Sequence, residues 1–237
     1  ITTKRKGPPA SFLIGAGLMV LILGGVGIGA FLMLRPGVNV MQRPGVKPDD
    51  PKPTPTPVTP PINKADLITI DGGAFLMGRN TGPPAETPAH AVTVQQFLID
   101  RTEVSNSEYA DFVRETNHAA PNHWIGNGPP FGQEQWPVVN VTFDDATAFA
   151  AWRSKRDGVS YRLPTEEEWE YAARNGEKGD LYPWGQTWQD KAAVVKDATP
   201  SPVGSRPEGK NMWGVVDLIG NVWEWTASKV SVYPGNP

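Results

Sequence analysis

The sequence predicts an α+β domain with much irregular structure over residues 64–237. Short segments rich in apolar and β-branched residues are typical of β-strands, and those at 67–70 and 90–94 are examples. Three Ser or Thr residues are each followed three positions later by Glu or Asp and then by an apolar stripe, which predicts three capped helices. Glycine and proline, 25 of each in the chain, recur between these segments, so we expect long loops.

Two strand pairs are predicted ahead of the helices. The segment at 67–70 runs into a turn at Gly72 and a second strand resumes at 74–78, while 90–94 and 97–99 form another pair. The helices are expected to begin after their caps, which are Ser105, Thr142 and Thr165.

A membrane anchor is predicted ahead of this domain, at residues 12–34, where the chain carries no charge and no polar side chain. As a helix this run would extend about 35 Å, enough to cross a hydrocarbon core of roughly 30 Å. A cleaved signal peptide is the alternative, but its apolar region would be shorter. Basic residues at 4–6 place the segment 1–11 in the cytoplasm and the domain outside, as in a single-pass membrane protein. Gly25 and Gly29 form a small-residue pair through which two such helices would form a homodimer.

A proline-rich stalk is predicted at residues 35–63, because repeated prolines exclude helix and favour extended polyproline II structure.

The chain has a formal charge of −3 although residues 1–35 contain four basic residues and no acid, so the domain itself is more acidic. Nucleic acid is therefore not an expected partner. No cysteine is present, so these residues contain neither disulfides nor thiolate sites.

Several motifs occur in a specific order: DRTEVSN at 100–106, YRLPTEEEWEYAAR at 161–174, YPWG at 182–185 and GNVWEWT at 220–226. This order resembles the formylglycine-generating-enzyme family, also called the sulfatase-modifying-factor domain, over about residues 66–232. The resemblance implies a variant of the C-type-lectin-like fold. Founding members of the family oxidise a cysteine of nascent sulfatases to formylglycine, using copper, oxygen and two active-site cysteines that follow the Trp-Glu-Trp block. We therefore expect the domain to be C-terminally incomplete and the sequence to be a fragment, and copper only if cysteines lie downstream.

The resemblance also implies a structural calcium site in the segment 217–224. It assigns ligand oxygens to the side chains of Asp217 and Glu224 and to the carbonyls of Gly220 and Val222. Calcium favours six to eight hard oxygen ligands on flexible loops, so the residue types fit. The alternative is that both acids cap local backbone while the neighbouring tryptophans pack in the core.

Other polar residues have simpler interpretations. Arg162 and the acids at 166–168 are typical of a capped helix start, where the helix dipole favours carboxylates. His90, His118 and His123 lack a close metal-binding spacing. Glu103 and Asn106 are interpreted as capping and loop-anchoring groups.

Two functions remain open at this point. The first is a binding or sensing module for a protein, peptide or glycan; the order of anchor, stalk and domain resembles that of bacterial transmembrane serine/threonine kinases carrying this domain. The second is a copper-dependent oxidase whose catalytic cysteines lie beyond Pro237. Fold resemblance does not decide between them.

The topology has a direct test. Because positive charge precedes the apolar run, a fusion reporter placed after Arg35 is expected to be active outside the cytoplasm. A reporter active only in the cytoplasm would refute the predicted orientation.

Overall fold

The computed structural model describes residues 67–195, 199–229 and 232–235. The predicted anchor and stalk, including Gly25 and Gly29, lie outside these ranges and stay predictions. Across the described ranges, no helix is long and apolar enough to cross a bilayer. The regular elements are strands β1 (Leu67–Ile70), β2 (Gly73–Met77), β3 (His90–Val94) and β4 (Phe97–Asp100), and helices α1 (Asn106–Thr116), α2 (Phe143–Asp157) and α3 (Glu166–Ala173).

The four strands occur where they were expected, but their pairing differs from the prediction. β1 pairs with β4 and β2 pairs with β3, both antiparallel. Both pairs have the same register, since Ile70 lies opposite Phe97 and Gly73 lies opposite Val94. The four strands therefore form one two-stranded antiparallel ribbon, interrupted between the two pairs. At the break, a Cβ on Gly72 would lie 2.4 Å from the Val94 carbonyl oxygen. The glycine therefore permits a close crossing of two strands and does not reverse the chain.

All three predicted helix starts are confirmed. The Ser105 hydroxyl accepts a hydrogen bond from the backbone N–H of Glu108. Thr142 and Thr165 each form a complete capping box, in which the acid at the third position accepts a hydrogen bond from the cap's own N–H. These caps satisfy amide donors that a helix leaves unpaired at its N-terminus.

Two apolar clusters stabilise the described part. One joins the ribbon to α3, with Phe75 packed edge-on against Tyr171 at a centroid distance of 5.3 Å. The other lies between α1 and α2 and is largely aromatic, with Tyr109 stacked on Phe149 at 5.6 Å and Trp152 buried beside them. Aromatic side chains bury large apolar areas, so these few contacts contribute much of the hydrophobic stabilisation.

The long irregular region after α3 is held by buried asparagines. Asn211 is 2% exposed, and its side-chain oxygen accepts from the amides of Trp213, Gly214 and Val215 while its nitrogen donates to the carbonyl of Ala172. Asn175, also buried, forms hydrogen bonds with three further residues: Asp180, Pro183 and Met212. These side chains supply the partners that regular secondary structure would otherwise provide.

We expect Asn211→Ala to lower the free energy of unfolding by at least about 3 kcal/mol, because three amides and a carbonyl lose a buried partner. Urea unfolding followed by tryptophan fluorescence measures this change. Asn127, which is exposed, provides the matched control, and Asn127→Ala is expected to change stability by no more than about 0.5 kcal/mol. Equal unfolding midpoints for the two variants would contradict this role of Asn211.

Candidate functional site

The loop at 217–224 is held in place by close backbone contacts. Asp217 and Gly220 both have positive φ, of 63° and 86°. A Cβ on Gly220 would lie 2.3 Å from the carbonyl oxygen of Val194, so only glycine fits there without a shift of the backbone. The next residue, Asn221, donates its N–H to the same carbonyl at 2.9 Å. The loop is therefore fixed against residues 192–195.

Asn221 ties this loop to two other segments. Its side-chain oxygen accepts from the N–H of Ser201 at 2.9 Å, and its side-chain nitrogen donates to the Ser201 carbonyl and to Glu103 Oε2, both at 3.2 Å. Sequence reasoning missed this role. The available signal was an asparagine directly after a glycine, a residue that tolerates the left-handed backbone observed here, with φ at 54°.

Three carboxyl groups lie close enough beside this loop to influence one another's charge: Glu103, Asp217 and Glu224. Burial, followed by the charges of Asp217 and Glu224, raises the pKa of Glu103 to about 9. Burial also raises the pKa of Asp217, although its Oδ2 accepts a 2.6 Å hydrogen bond from the N–H of Gly204. Burial thus disfavours the charged form of both carboxyl groups, and the charge of Asp217 adds to the effect on Glu103.

Glu224 completes the cluster from the far end of the loop. The residue is exposed, and one of its carboxylate oxygens accepts a hydrogen bond from the indole N–H of Trp169 at 3.0 Å. Burial of the carboxylate, with the charge of Asp217, raises the pKa of Glu224 to about 7.

The donor set fits a hard cation. Glu103 Oε1 is buried and has no hydrogen-bond partner among the described residues. Within the same ranges, no backbone N–H donates to the carbonyl oxygen of Gly220 or Val222. No three acidic, histidine or cysteine side chains in the described part converge closely enough to enclose a metal by themselves, so carbonyl oxygens would have to complete the coordination.

The tryptophans of the loop do not pack in the core, so that part of the alternative interpretation is wrong. Trp223 is 78% exposed and Trp225 is 48% exposed. Trp225 donates its indole N–H to the carbonyl of Val141 at 3.1 Å and lies edge-on to Phe143 at 6.0 Å. The loop thus buries Asp217 and exposes both indoles.

The remaining polar residues have structural roles. Arg162 forms a two-pronged ion pair with Glu168, with both N···O distances at 2.7 Å, at the capped start of α3. His118 pairs with Asp145, and His123 lies against Asn140. The anchoring role of Asn106 is confirmed: it bonds the carbonyls of Gln133 and Trp136. Glu103 was predicted to be a capping or loop-anchoring residue. It accepts a hydrogen bond from Asn221 and also belongs to the carboxyl cluster.

The ribbon, the three capped helices and the asparagine-tied loops define an α+β protein in which the loop at 217–224 brings Asp217 beside Glu103. The Sulfatase-modifying factor enzyme 1-like domain family matches residues 52–236, and the chain belongs to this family. The description as a C-type-lectin-like variant stays a prediction.

Known relatives include an inactive protein and an enzyme. The chain is 36% identical over 217 residues to the Inactive C-alpha-formylglycine-generating enzyme 2 of Mus musculus, covering 68% of each protein. It is 32% identical to the Formylglycine-generating enzyme of Mycobacterium tuberculosis, covering 69% of this chain and 74% of that protein.

Solved structures agree with the fold. PvdO from Pseudomonas aeruginosa is 32% identical with a TM-score of 0.58, covering 68% of this chain and 69% of that chain. Treponema denticola variable protein 1, at 22% identity and a TM-score of 0.57, covers 72% of this chain and 75% of that chain and shows the fold alone.

In metal-free solution, we expect the free energy of unfolding to fall as pH rises from about 5 to 9. Carboxyl groups whose pKa is raised in the folded state stabilise it fully below their ordinary pKa near 4.5, and this contribution is lost as pH rises through about 7 for Glu224 and about 9 for Glu103. Urea unfolding at a series of pH values, with a chelator present, measures the slope.

Glu103→Gln is expected to flatten this slope, whereas Glu208→Gln, at an exposed position, leaves it unchanged. An identical slope in both variants would show that Glu103 does not titrate in this range.

Proposed function

We propose that the chain is a membrane-anchored, extracytoplasmic binding module in which a calcium-ordered loop displays tryptophans to a ligand. The observation that carries the proposal is the loop at 217–224, which holds Asp217 and Glu224 near Glu103 while Trp223 faces solvent. The anchor at 12–34 and the stalk at 35–63 would hold this loop away from the membrane. A sensing role for a transmembrane serine/threonine kinase belongs to the same proposal.

Calcium would be held by the side chains of Asp217 and Glu224 and by the carbonyl oxygens of Gly220 and Val222. When bound, the ion supplies positive charge that offsets the buried carboxylates. Glu103 lies next to Asp217 and its unpaired oxygen gives a further hard donor at the edge of the site. The positive φ of Gly220 and the bonds of Asn221 bring these groups together before any ion binds.

The displayed surface consists of aromatic side chains. Trp223 and Trp225 flank Glu224 in the sequence, so a cation on the Glu224 carboxylate fixes the backbone that carries both indoles. Phe143, 41% exposed, extends the surface through its contact with Trp225. Exposed aromatic groups of this kind are typical of sites for proteins, peptides or glycans.

The oxidase is the second candidate, and its support is the similarity to enzymes named formylglycine-generating enzyme. That chemistry needs two cysteines and copper, and the 237 residues contain no cysteine. The similarity to an inactive relative is compatible with a binding role. Copper- and oxygen-dependent conversion of a peptide cysteine to formylglycine by a protein that contains this chain together with downstream cysteines would favour the oxidase instead.

Calcium is expected to raise the thermal midpoint of the detergent-solubilised chain by roughly 5–10 °C when its concentration is about 100 times the Kd, because it binds only the folded state. Asp217→Ala combined with Glu224→Ala is expected to abolish this rise. Scanning calorimetry after removal of metal with a chelator measures both effects.

Glu208→Ala, which removes an exposed acid elsewhere, serves as the control and should keep the full rise. A midpoint that calcium leaves unchanged in the stripped, unmutated chain would rule out the metal site and the calcium-ordered loop with it.

A further inference from the structure

A groove of about 390 Å³ lies where the ribbon meets the start of α3, away from the residues of the carboxyl cluster. Met77 and Tyr233, both almost fully buried, supply apolar surface. The polar lining groups come from three segments: His90, Glu166, Glu167, Ser228 and Lys229.

Among the described residues, each of the two lining carboxylates has one oxygen that accepts a hydrogen bond and one that accepts none. The Tyr233 hydroxyl donates to Glu166 Oε1 at 3.2 Å, and the Ser228 hydroxyl donates to Glu167 Oε2 at 3.4 Å. The Ser228 oxygen in turn accepts from the N–H of Glu166 at 2.9 Å. No donor within the described ranges reaches Glu166 Oε2 or Glu167 Oε1. Two fixed carboxylates thus present unpaired acceptors at one wall of the groove.

A buried acid, which forms an ion pair with Arg174, lies behind this wall. Glu170, one helical turn after Glu166, is 3% exposed. Its Oε1 accepts from Arg174 and from the N–H of Gly78, both at 2.8 Å, while its buried Oε2 has no partner in the described part of the chain. Its charge helps to raise the pKa of both Glu166 and Tyr233, after the larger effect of burial, so it lies close to the groove.

The groove's own basic groups do not neutralise this wall. Lys229 is exposed and is the one lysine or arginine among the lining residues, against two carboxylates. The His90 Nδ1 lies 3.2 Å from the carbonyl oxygen of Pro88, and its ring packs edge-on against Tyr233 at 4.6 Å. Ser228 has a carboxylate and an amide as partners and no histidine, so it is not an activated nucleophile. The arrangement is suited to binding.

We propose that this groove binds an organic cation, an ammonium or guanidinium group, on the free oxygens of Glu166 and Glu167. The aliphatic stem of such a group would lie along Met77, and the Tyr233 ring would add a favourable cation–π contact. The charge comes either from a lysine or arginine side chain of a polypeptide or from a free amine. This site goes beyond the proposed function and shares no residue with the calcium ligands.

Isothermal titration calorimetry of the full chain tests the site, in saturating calcium and low salt. The probes are N-acetyl-arginine methylamide and N-acetyl-lysine methylamide for the polypeptide source, putrescine for the free amine, and uncharged N-acetyl-norleucine methylamide as the matched control. We expect binding of at least one cation with a Kd on the order of 1 mM or tighter, and none of the norleucine compound.

Glu167→Gln is expected to weaken cation binding at least about fivefold, because it removes one charge and leaves the Tyr233–Glu166 bond intact. Glu208→Gln is expected to leave binding unchanged. Added salt is expected to weaken it, since the attraction is between charges. Tighter binding of the blocked amino acids assigns the site to a polypeptide, and tighter binding of putrescine assigns it to a free amine.

The proposal is overturned if no cation binds, if the norleucine compound binds equally well, or if Glu167→Gln binds like the unmutated chain. The Glu167 side chain is only half-buried and its partner bond is long, so this variant is expected to fold. A calcium-induced rise in its thermal midpoint that matches the unmutated chain verifies this, and it separates failure of the groove from failure of the metal site.

Discussion

Carboxyl groups placed where water cannot fully solvate them are the constraint on which this structure depends. Glu103 and Asp217 come from opposite ends of the domain sequence and meet at the same point, and Glu224 adds a third acid. Two neighbouring carboxylates in such a place cannot both ionise at low cost, so a proton or a cation must be present. Asn221 and Gly220 fasten the loop at 217–224 to the surrounding segments, and this places Asp217 beside Glu103.

Buried asparagines extend the same principle through the rest of the fold. Asn211 and Asn175 satisfy backbone groups in a region with almost no regular structure, where each unpaired amide would be costly. The chain has no disulfide to do this work, since it has no cysteine. Hydrogen bonds from polar side chains with several partners therefore hold these loops together in place of disulfides. Loops held in this way can expose side chains such as Trp223 at the surface.

The sequence allowed some of these features to be predicted, because their causes are local. The caps at Ser105, Thr142 and Thr165 depend on two residues three positions apart, and all three are confirmed. Strand positions follow from composition, but strand pairing depends on a crossing at Gly72 that no local pattern reveals.

The candidate site was only partly predictable for the same reason. Asp217 and Glu224 lie in one motif and could be named from the family resemblance. Glu103 lies more than 100 residues away, so its place in the cluster and its link to Asn221 follow only from the tertiary structure. The exposure of Trp223 was also missed, because the tryptophan content of a domain says nothing about which indoles face solvent.

The most direct test of this account is whether calcium replaces a proton in the carboxyl cluster. Calcium titrations by calorimetry at pH 7.5, in two buffers of different ionisation enthalpy, measure the protons released for each ion bound. We predict release of about one proton per calcium, and its loss in Glu103→Gln. Calcium binding without proton release, or no calcium binding at all, would contradict the claim that these buried acids form one site.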